Sequence, residues 1–303
     1  MGAAANQYYA NQIPGTGFFP FVTVTNQGNT QLKSEDADTY TAGFVFRPQF
    51  EAQLLSRLTA SIDWYRIDIK DAIAPLTFDT IYNQCVNPAL NPTQDVGNKY
   101  CQLIIRNPTT GNPDNTIGSY QNVGSLKTSG VDVNIDWSAD LADMGMANAP
   151  GTLAVNLATT YLDSYKTQDI AGAPIQENAG TVAQGGQYRF KTYLTTTYSV
   201  GGVAGSLRWR HLPSAHAAAY AQDPNTPFQG PRHYDILDLT GSWEISQSYQ
   251  LRFGIENLRD TDPEITNSNP TPDLTFTTGA GTTLPGYYDV LGRCYFVGFK
   301  SRF

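Results

Sequence analysis

Residues 152–161 read TLAVNLATTY, a run in which apolar side chains alternate with polar or small ones. Leu153 and Val155 fall on one side of this run, and Ala154 and Asn156 fall on the other. Successive side chains of a β-strand point to opposite faces of its sheet, so this period of two predicts a strand with one apolar face. The same period recurs along most of the chain, which therefore predicts an all-β fold.

About nine segments share this alternation. Their apolar sides include, in chain order, Phe44, Ile62, Val133, Val155, Leu194, Leu207, Leu239, Phe253 and Val297. Short or medium connections fall near 47–51, 138–150, 199–202 and 246–248. Long connections fall near 71–116, 163–187, 213–232 and 259–287. An antiparallel meander with short turns at one end and long loops at the other produces this order, as a transmembrane β-barrel does.

The polar sides of the predicted strands carry many charged residues. They include Asp132, Asp136, Arg189, Lys191, Arg208, Arg210, Arg252 and Glu256. In a soluble β-sandwich these residues would face water and the apolar sides would form the core. In a transmembrane barrel they would line a water-filled lumen and the apolar sides would contact lipid. Aromatic residues near the strand ends, such as Trp64, Trp137 and Trp243, are typical of interfacial girdles and favour the barrel.

The composition excludes several other classes. The formal net charge of −8 argues against a nucleic-acid partner. No apolar run of about 18 residues is present, so no transmembrane helix is predicted. The first residues, MGAAANQYYA, do not resemble a signal peptide, so an exported chain would need further sequence before them. We identify no cofactor-binding or metal-binding motif, and we interpret Asp132 and Asp136 as solvated luminal residues rather than a catalytic pair.

Two of the three cysteines, Cys85 and Cys101, lie in one Asn-, Pro- and Gly-rich stretch. An oxidising compartment would allow this pair to form a disulfide. Two unrelated free thiols are the alternative. The third cysteine, Cys294, is expected to face the lumen.

Three motifs mark the beginning and the end of the strand series. They are GNTQLKSE at 28–35, GIENLRD at 254–260 and the final run CYFVGFKSRF at 294–303. In their order and spacing these motifs resemble the barrel of TonB-dependent outer-membrane receptors. The loop that holds Cys85 and Cys101 also resembles the cysteine-bearing extracellular loops of these receptors.

The resemblance implies an incomplete barrel. Receptors of this kind have about 22 strands and a plugged lumen. The chain is therefore expected to be the C-terminal part, an antiparallel meander of about nine strands from a transmembrane β-barrel. We expect residues 1–36 to be an extracellular, loop-like lead-in and residues 37–303 to be barrel strands. The plug, and the segment that contacts TonB, are expected to precede this chain.

The last predicted strand, at 295–303, also resembles a known sequence signal. Tyr295, Val297, Phe299 and Phe303 fall on one side, with Gly298 on the other. This pattern resembles the signal that the barrel-assembly machinery reads, and such a machinery would pair with an exposed strand edge. An ordinary lipid-facing strand end is the alternative.

The resemblance implies active uptake of a scarce nutrient across the outer membrane of a Gram-negative bacterium, without enzymatic activity. The expected partners are outer-membrane lipid, TonB through the plug, the barrel-assembly machinery and a small nutrient ligand. A siderophore, a cobalamin and an oligosaccharide are equally compatible with the sequence. A stand-alone, porin-like barrel and a soluble extracellular β-sheet binding module are the alternative functions.

Overall fold

A computed structural model describes residues 23–48, 52–106, 108, 113–168, 170, 173–182, 186–217, 230–265, 283 and 287–302. Within these ranges most residues belong to strands. No helix within them is long and apolar enough to cross a membrane.

The strands in chain order are β1 (Thr23–Gln27), β2 (Asp36–Phe46), β3 (Leu58–Pro75), β4 (Ile104–Arg106), β5 (Pro113–Asp140), β6 (Thr152–Gln168), β7 (Gln176–Glu177), β8 (Thr181–Val182), β9 (Phe190–Val200), β10 (Val203–Leu212), β11 (His216–Ala217), β12 (Tyr234–Glu244), β13 (Tyr249–Glu256) and β14 (Cys294–Ser301). The single α-helix among the described residues is α1 (Phe78–Val86), and the 3-10 turns are Gln53–Leu55 and Cys101–Leu103.

Nine long strands form one path, in the order β14, β13, β12, β10, β9, β6, β5, β3 and β2. This path confirms the predicted antiparallel meander of about nine strands. Among the described strands, β2 and β14 lie at the two edges, so the sheet does not close on itself.

The register of the strands keeps the two kinds of side chain on opposite faces. Leu207 of β10 lies opposite Leu239 of β12, and the next position pairs Arg208 with Asp238. A shift of one residue would move every side chain to the other face, so the alternation and the register support each other. The sheet therefore has an apolar face and a polar face, as predicted.

The apolar face is exposed along the meander. Val297 is 78% exposed, Phe299 is 63% exposed and Trp243 is 48% exposed. A soluble sandwich would bury these side chains in its core. Large apolar residues exposed over many strands are instead typical of a surface that contacts lipid or a partner.

The connections alternate as the sequence predicts. The shorter ones, at 47–57, 141–151, 201–202 and 245–248, join the strands at one end of the meander. The longer ones, at 76–112, 169–189, 213–233 and 257–293, join them at the other end. The two-residue turn between β9 and β10 is Gly201-Gly202. Gly201 has a positive φ of 56°. Glycine adopts this left-handed conformation without the strain that a Cβ atom would cause.

Several features of the end that carries the long connections were not predicted. Strand β3 continues to Pro75 and β5 begins at Pro113, so both extend into the predicted 71–116 loop. Strand β1 lies in the predicted lead-in and pairs with β5 in parallel. Helix α1 also lies in the predicted loop. The hydrogen-bond partners of these strand segments are distant in sequence, so the period of two alone did not reveal them.

The chain divides into two compact units. The first comprises residues within 1–38, 68–126 and 167–176, and its buried cluster includes Leu76, Ile81, Cys85, Cys101, Ile104 and Ile170. The second comprises residues within 39–67, 127–166 and 177–303. Its buried clusters include Val182, Tyr188, Ala215, Tyr234, Ile236 and Tyr288.

Candidate ligand-binding site

The polar face carries the charged residues that the sequence assigned to a lumen. Arg208 lies opposite Asp238, Arg252 lies opposite Ser242, and Glu256 lies opposite Cys294. On the neighbouring strands, the amide nitrogen of Asn156 donates to a carboxylate oxygen of Asp136 at 2.7 Å. Asp132 shares the alternation of Asp136 in β5, and Lys191 shares that of Thr195, which lies opposite Asn156. These residues therefore occupy one face of one sheet.

Arg189 has a different role from the other cations. It comes directly before β9, and its guanidinium donates to the backbone carbonyls of Asp163 and Ala179, both at 2.9 Å. These bonds tie the end of the 169–189 connection to β6 and to an earlier part of the same connection. Arg189 is thus engaged by backbone oxygens.

Arg210 and Asp238 form a partly buried ion pair on the polar face. The guanidinium of Arg210 donates to a carboxylate oxygen of Asp238 at 2.9 Å. The Asp238 side chain is only 6% exposed, so the pair is shielded from water on the carboxylate side. A charged hydrogen bond of this kind is stronger than a neutral one, and a buried carboxylate needs such a partner.

Asn257, in the GIENLRD motif at 254–260, is the first residue after β13 and forms the turn that ends this strand. Its backbone N–H donates to Asp238 at 3.0 Å, and its side chain exchanges two hydrogen bonds with the backbone of Thr261. Asn257 has a positive φ of 52°. Asparagine tolerates this left-handed conformation better than most residues. The turn after β13 is therefore fixed to the same carboxylate that binds Arg210.

Above this ion pair, on the side of the long connections, lies a recess that we call the tyrosine recess. Its volume is about 240 Å³, and its lining includes Tyr188, Lys191, Tyr193, Arg210, Tyr234 and Tyr287. Asp289 also lines it and lies 3.8 Å from Arg210. The hydroxyls of Tyr188 and Tyr288 are 3.1 Å apart, and the hydroxyl of Tyr287 donates to the carbonyl of Gly186 at 2.7 Å. Two long connections, 169–189 and 257–293, thus meet strands β9, β10 and β12 at one small concave site.

Tyr188 and Tyr288 stay neutral phenols near pH 7. Burial raises the pKa of Tyr188 and, more strongly, the pKa of Tyr288. The contact between the two hydroxyls further raises the pKa of Tyr288. The wall they form therefore adds aromatic surface and no negative charge to the recess.

A polar network on the apolar face lies at the ends of β10 and β12. The indole N–H of Trp209 donates to Asp235 at 2.7 Å, and Nδ1 of His211 lies 2.7 Å from the same oxygen. His233 lies 3.6 Å from the second oxygen. Within the described part of the chain, no group of three His, Cys, Asp or Glu residues could hold a metal ion. The network marks the place where the exposed apolar face gives way to polar side chains.

The 76–112 connection holds a small structure of its own. Cys85 of α1 and Cys101 form a disulfide, and both are buried. The side-chain amide of Asn91, which is 4% exposed, donates to the carbonyls of Cys85 and Asp95. Thr77 caps the helix by accepting from the N–H of Thr80. The spacing of Phe78, Ile81, Tyr82 and Cys85 has the helical period and would have predicted α1.

The remaining residues of the sequence-based assignment lie in β14. Tyr295, Val297 and Phe299 share the apolar face, and Gly298 lies on the polar face opposite Arg252. Phe303 lies outside the described residues. The sequence did not reveal the tyrosine recess, because its members come from parts of the chain up to about 100 residues apart and form no local pattern.

A family model described as "TonB dependent receptor-like, beta-barrel" matches residues 3–258. Among solved structures, the ferric enterobactin receptor of Pseudomonas aeruginosa is 14% identical, with a TM-score of 0.56 over 92% of this chain and 33% of that one. The siderophore receptor PirA of Acinetobacter baumannii is 16% identical, with a TM-score of 0.51 over 92% of this chain and 33% of that one. No curated protein matches the sequence. The chain spans about a third of the length of these two structures, whose likeness shows the fold.

Proposed function

The chain belongs to the TonB-dependent receptor β-barrel family, and from this membership we propose that it is the C-terminal part of an active nutrient importer. Proteins of this family are β-barrels of the Gram-negative outer membrane and act as receptors and transporters. The observation that carries the proposal is the exposed apolar face of the nine-strand meander, with its charged residues on the other face. Such a sheet suits lipid on one side and a water-filled lumen on the other.

The nutrient is a small molecule that is scarce outside the cell, of the siderophore, cobalamin or oligosaccharide kind. The likeness to siderophore receptors supports the first of these. The polar face and the long connections would bind the nutrient by hydrogen bonds and charge, with no covalent step. This function requires a plug and TonB as partners, and we infer that residues 1–36 lead into a barrel portion at 37–303.

Outer-membrane lipid and the barrel-assembly machinery complete the proposed partners. Tyr295 and Val297 in edge strand β14 are 70% and 78% exposed. Such an edge can pair with another strand, and its exposed apolar face can contact lipid. A soluble binding module would leave the same side chains in water.

The experiment that tests this proposal compares two adjacent positions of β14. Val297→Cys and Gly298→Cys, each in a Cys294→Ser background, receive a nitroxide label in outer membranes of a Gram-negative host. A Cβ at Gly298 meets no atom within 4 Å, so the label has room there. We expect oxygen to relax the label at 297 and a water-soluble nickel chelate to relax the label at 298.

Equal access of the nickel chelate to both labels, with the protein in the soluble fraction, would show a soluble β-sheet module instead. Membrane insertion together with passive solute flux that needs no TonB would show a porin-like barrel. Growth on a limiting nutrient that depends on both this protein and TonB would support the importer.

A further inference from the structure

We propose that the tyrosine recess binds an oxyanion of the substrate, so that the imported nutrient carries a carboxylate or phenolate group and is not a neutral sugar. This inference rests on the proposed importer function and specifies the chemistry of its ligand. It is carried by the placement of two cations against an aromatic wall.

Lys191 supplies the first cation. It lies in the second position of β9, is exposed on the polar face, and lines the recess. No carboxylate lies within ion-pair distance of its ammonium group among the described residues. A lysine in this position is available to a ligand, and a charged hydrogen bond from it favours an anion over a neutral acceptor.

Arg210 supplies the second donor. One terminal nitrogen of its guanidinium is engaged by Asp238, whereas its Nε atom is buried and has no hydrogen-bond partner among the described residues. A buried donor without a partner is costly, and a ligand oxygen would remove that cost. Asp238 holds the guanidinium at the wall of the recess, so a ligand oxygen that reaches Nε would meet a donor whose position is already fixed.

The charged side chains that line the recess carry a formal net charge of +1. Lys191 and Arg210 line it with two positive charges, and Asp289 lines it with one negative charge. Asp238 stands behind Arg210, is 6% exposed, and is already bound by Arg210 and by the backbone N–H of the turn after β13.

The aromatic wall adds surface for a planar ligand without adding charge. Tyr188, Tyr234 and Tyr287 contribute phenol rings to the lining of the recess. Tyr193, which is 46% exposed, offers a further ring at the same recess. A planar group attached to the oxyanion could stack on that ring. The recess therefore suits an aromatic acid better than an aliphatic alcohol.

Two matched small probes test this inference on the purified full chain in detergent micelles. Salicylate carries a carboxylate on an aromatic ring, and salicylamide is its neutral counterpart. Their dissociation constants are measured by saturation-transfer NMR, which detects weak binding. We expect salicylate to bind at least about tenfold more tightly than salicylamide, the size of one charged hydrogen bond.

Three variants locate the binding. Lys191→Gln should weaken salicylate binding about tenfold, and Lys191→Arg should restore most of it. Arg302→Gln removes a cation at the short-connection end of the sheet, where its backbone N–H donates to Ser248, and should leave binding unchanged. Lys191 makes no ion pair among the described residues, so its replacement should not unfold the protein, which circular dichroism checks.

Equal binding of the two probes, absence of salicylate binding, or equal losses in Lys191→Gln and Arg302→Gln would each overturn the inference. These results are independent of membrane insertion. A protein that binds salicylate through Lys191 but stays out of the membrane would overturn the importer and leave the anion site. A TonB-dependent importer that does not distinguish the probes would overturn the anion site alone.

Discussion

The disulfide cluster of the 76–112 connection and the tyrosine recess both include buried side chains, but they are held together by different forces. In the first, Cys85 and Cys101 are covalently linked and the amide of Asn91 bridges nearby carbonyls. In the second, the Tyr188–Tyr288 contact and the Arg210–Asp238 ion pair join segments that no disulfide connects.

The difference shows two ways of ordering long connections on a thin sheet. A single sheet exposes both of its faces, so a connection gains little apolar burial from it. The disulfide restricts the unfolded chain and so orders its own connection. The recess instead depends on partners from separate connections, and each partner is stable only while the others are in place. We therefore expect the recess to lose its order cooperatively and the disulfide cluster to lose it locally.

The largest effect should come from Asp238→Ala. The replacement leaves Arg210 without its main partner and removes the acceptor of the Asn257 N–H. We expect the free energy of unfolding in detergent to fall by about 3–4 kcal/mol, as when one member of a buried pair is removed. Urea titration followed by tryptophan fluorescence measures the change. Glu244→Ala, at the exposed end of the same strand and face, is the control and should change the free energy by less than about 0.5 kcal/mol.

The double replacement Cys85→Ser/Cys101→Ser should have the next largest effect. A disulfide that closes a loop of this size contributes about 2–3 kcal/mol, mainly by restricting the unfolded chain. We expect amide hydrogen exchange to accelerate in α1 and its neighbours and to stay unchanged in β9–β14. Cys294→Ser, which removes a free thiol, is the control. Loss of protection throughout the sheet would contradict local ordering.

Tyr288→Phe should have a smaller effect in the recess. The hydroxyl of Tyr288 lies in a buried contact with that of Tyr188. The change removes this hydroxyl and keeps the ring, at a cost of about 1 kcal/mol. If the recess loses its order cooperatively, amide hydrogen exchange should become faster around both Tyr188 and Tyr234. Tyr193→Phe, at an exposed ring of the same recess, serves as the control. Faster exchange confined to the neighbours of Tyr288 would show that the recess is not cooperative.

The smallest expected effect is the pH-dependent contribution of Glu177, in the 169–189 connection, to the stability of the fold. Burial raises the pKa of its carboxyl group. Hydrogen bonds from the N–H groups of Tyr165 and Ala179 and from the hydroxyl of Ser164 lower this pKa by a larger amount, so the net shift is downward. A group with a lowered pKa stabilises the fold above its unfolded pKa, about 4.5, and loses that contribution as the pH falls through the folded value. Protein with Glu177 should therefore be more stable than Glu177→Gln at pH 7. The difference should disappear on acidification, which thermal unfolding from pH 7 to pH 3 measures.

The alternation of residues such as Leu207, Arg208, Leu239 and Thr240 predicted the strands, the two faces and the strand order of the meander. Period-two patterning is a local property, and adjacent strands joined by short turns can pair in only a few ways. The motifs at 28–35 and 254–260 indicated the family from the sequence alone. The same alternation predicted that one face of the sheet holds a set of charged residues. They are Asp132, Asp136, Lys191, Arg208, Arg210, Arg252 and Glu256.

The extensions of β3 and β5, the pairing of β1 with β5, and the tyrosine recess were decided only by the tertiary structure. Tyr188, Tyr234 and Tyr288 have no common period or motif, and nothing local distinguishes them from other loop tyrosines. The same holds for the donors of the recess, because Lys191 and Arg210 both lie on the polar side of an alternating strand. Only the structure shows that Arg210 has a carboxylate partner and that Lys191 has none among the described residues. A sequence determines which face a side chain occupies through the geometry of its own strand. Which distant residues it meets depends on the register of several strands at once.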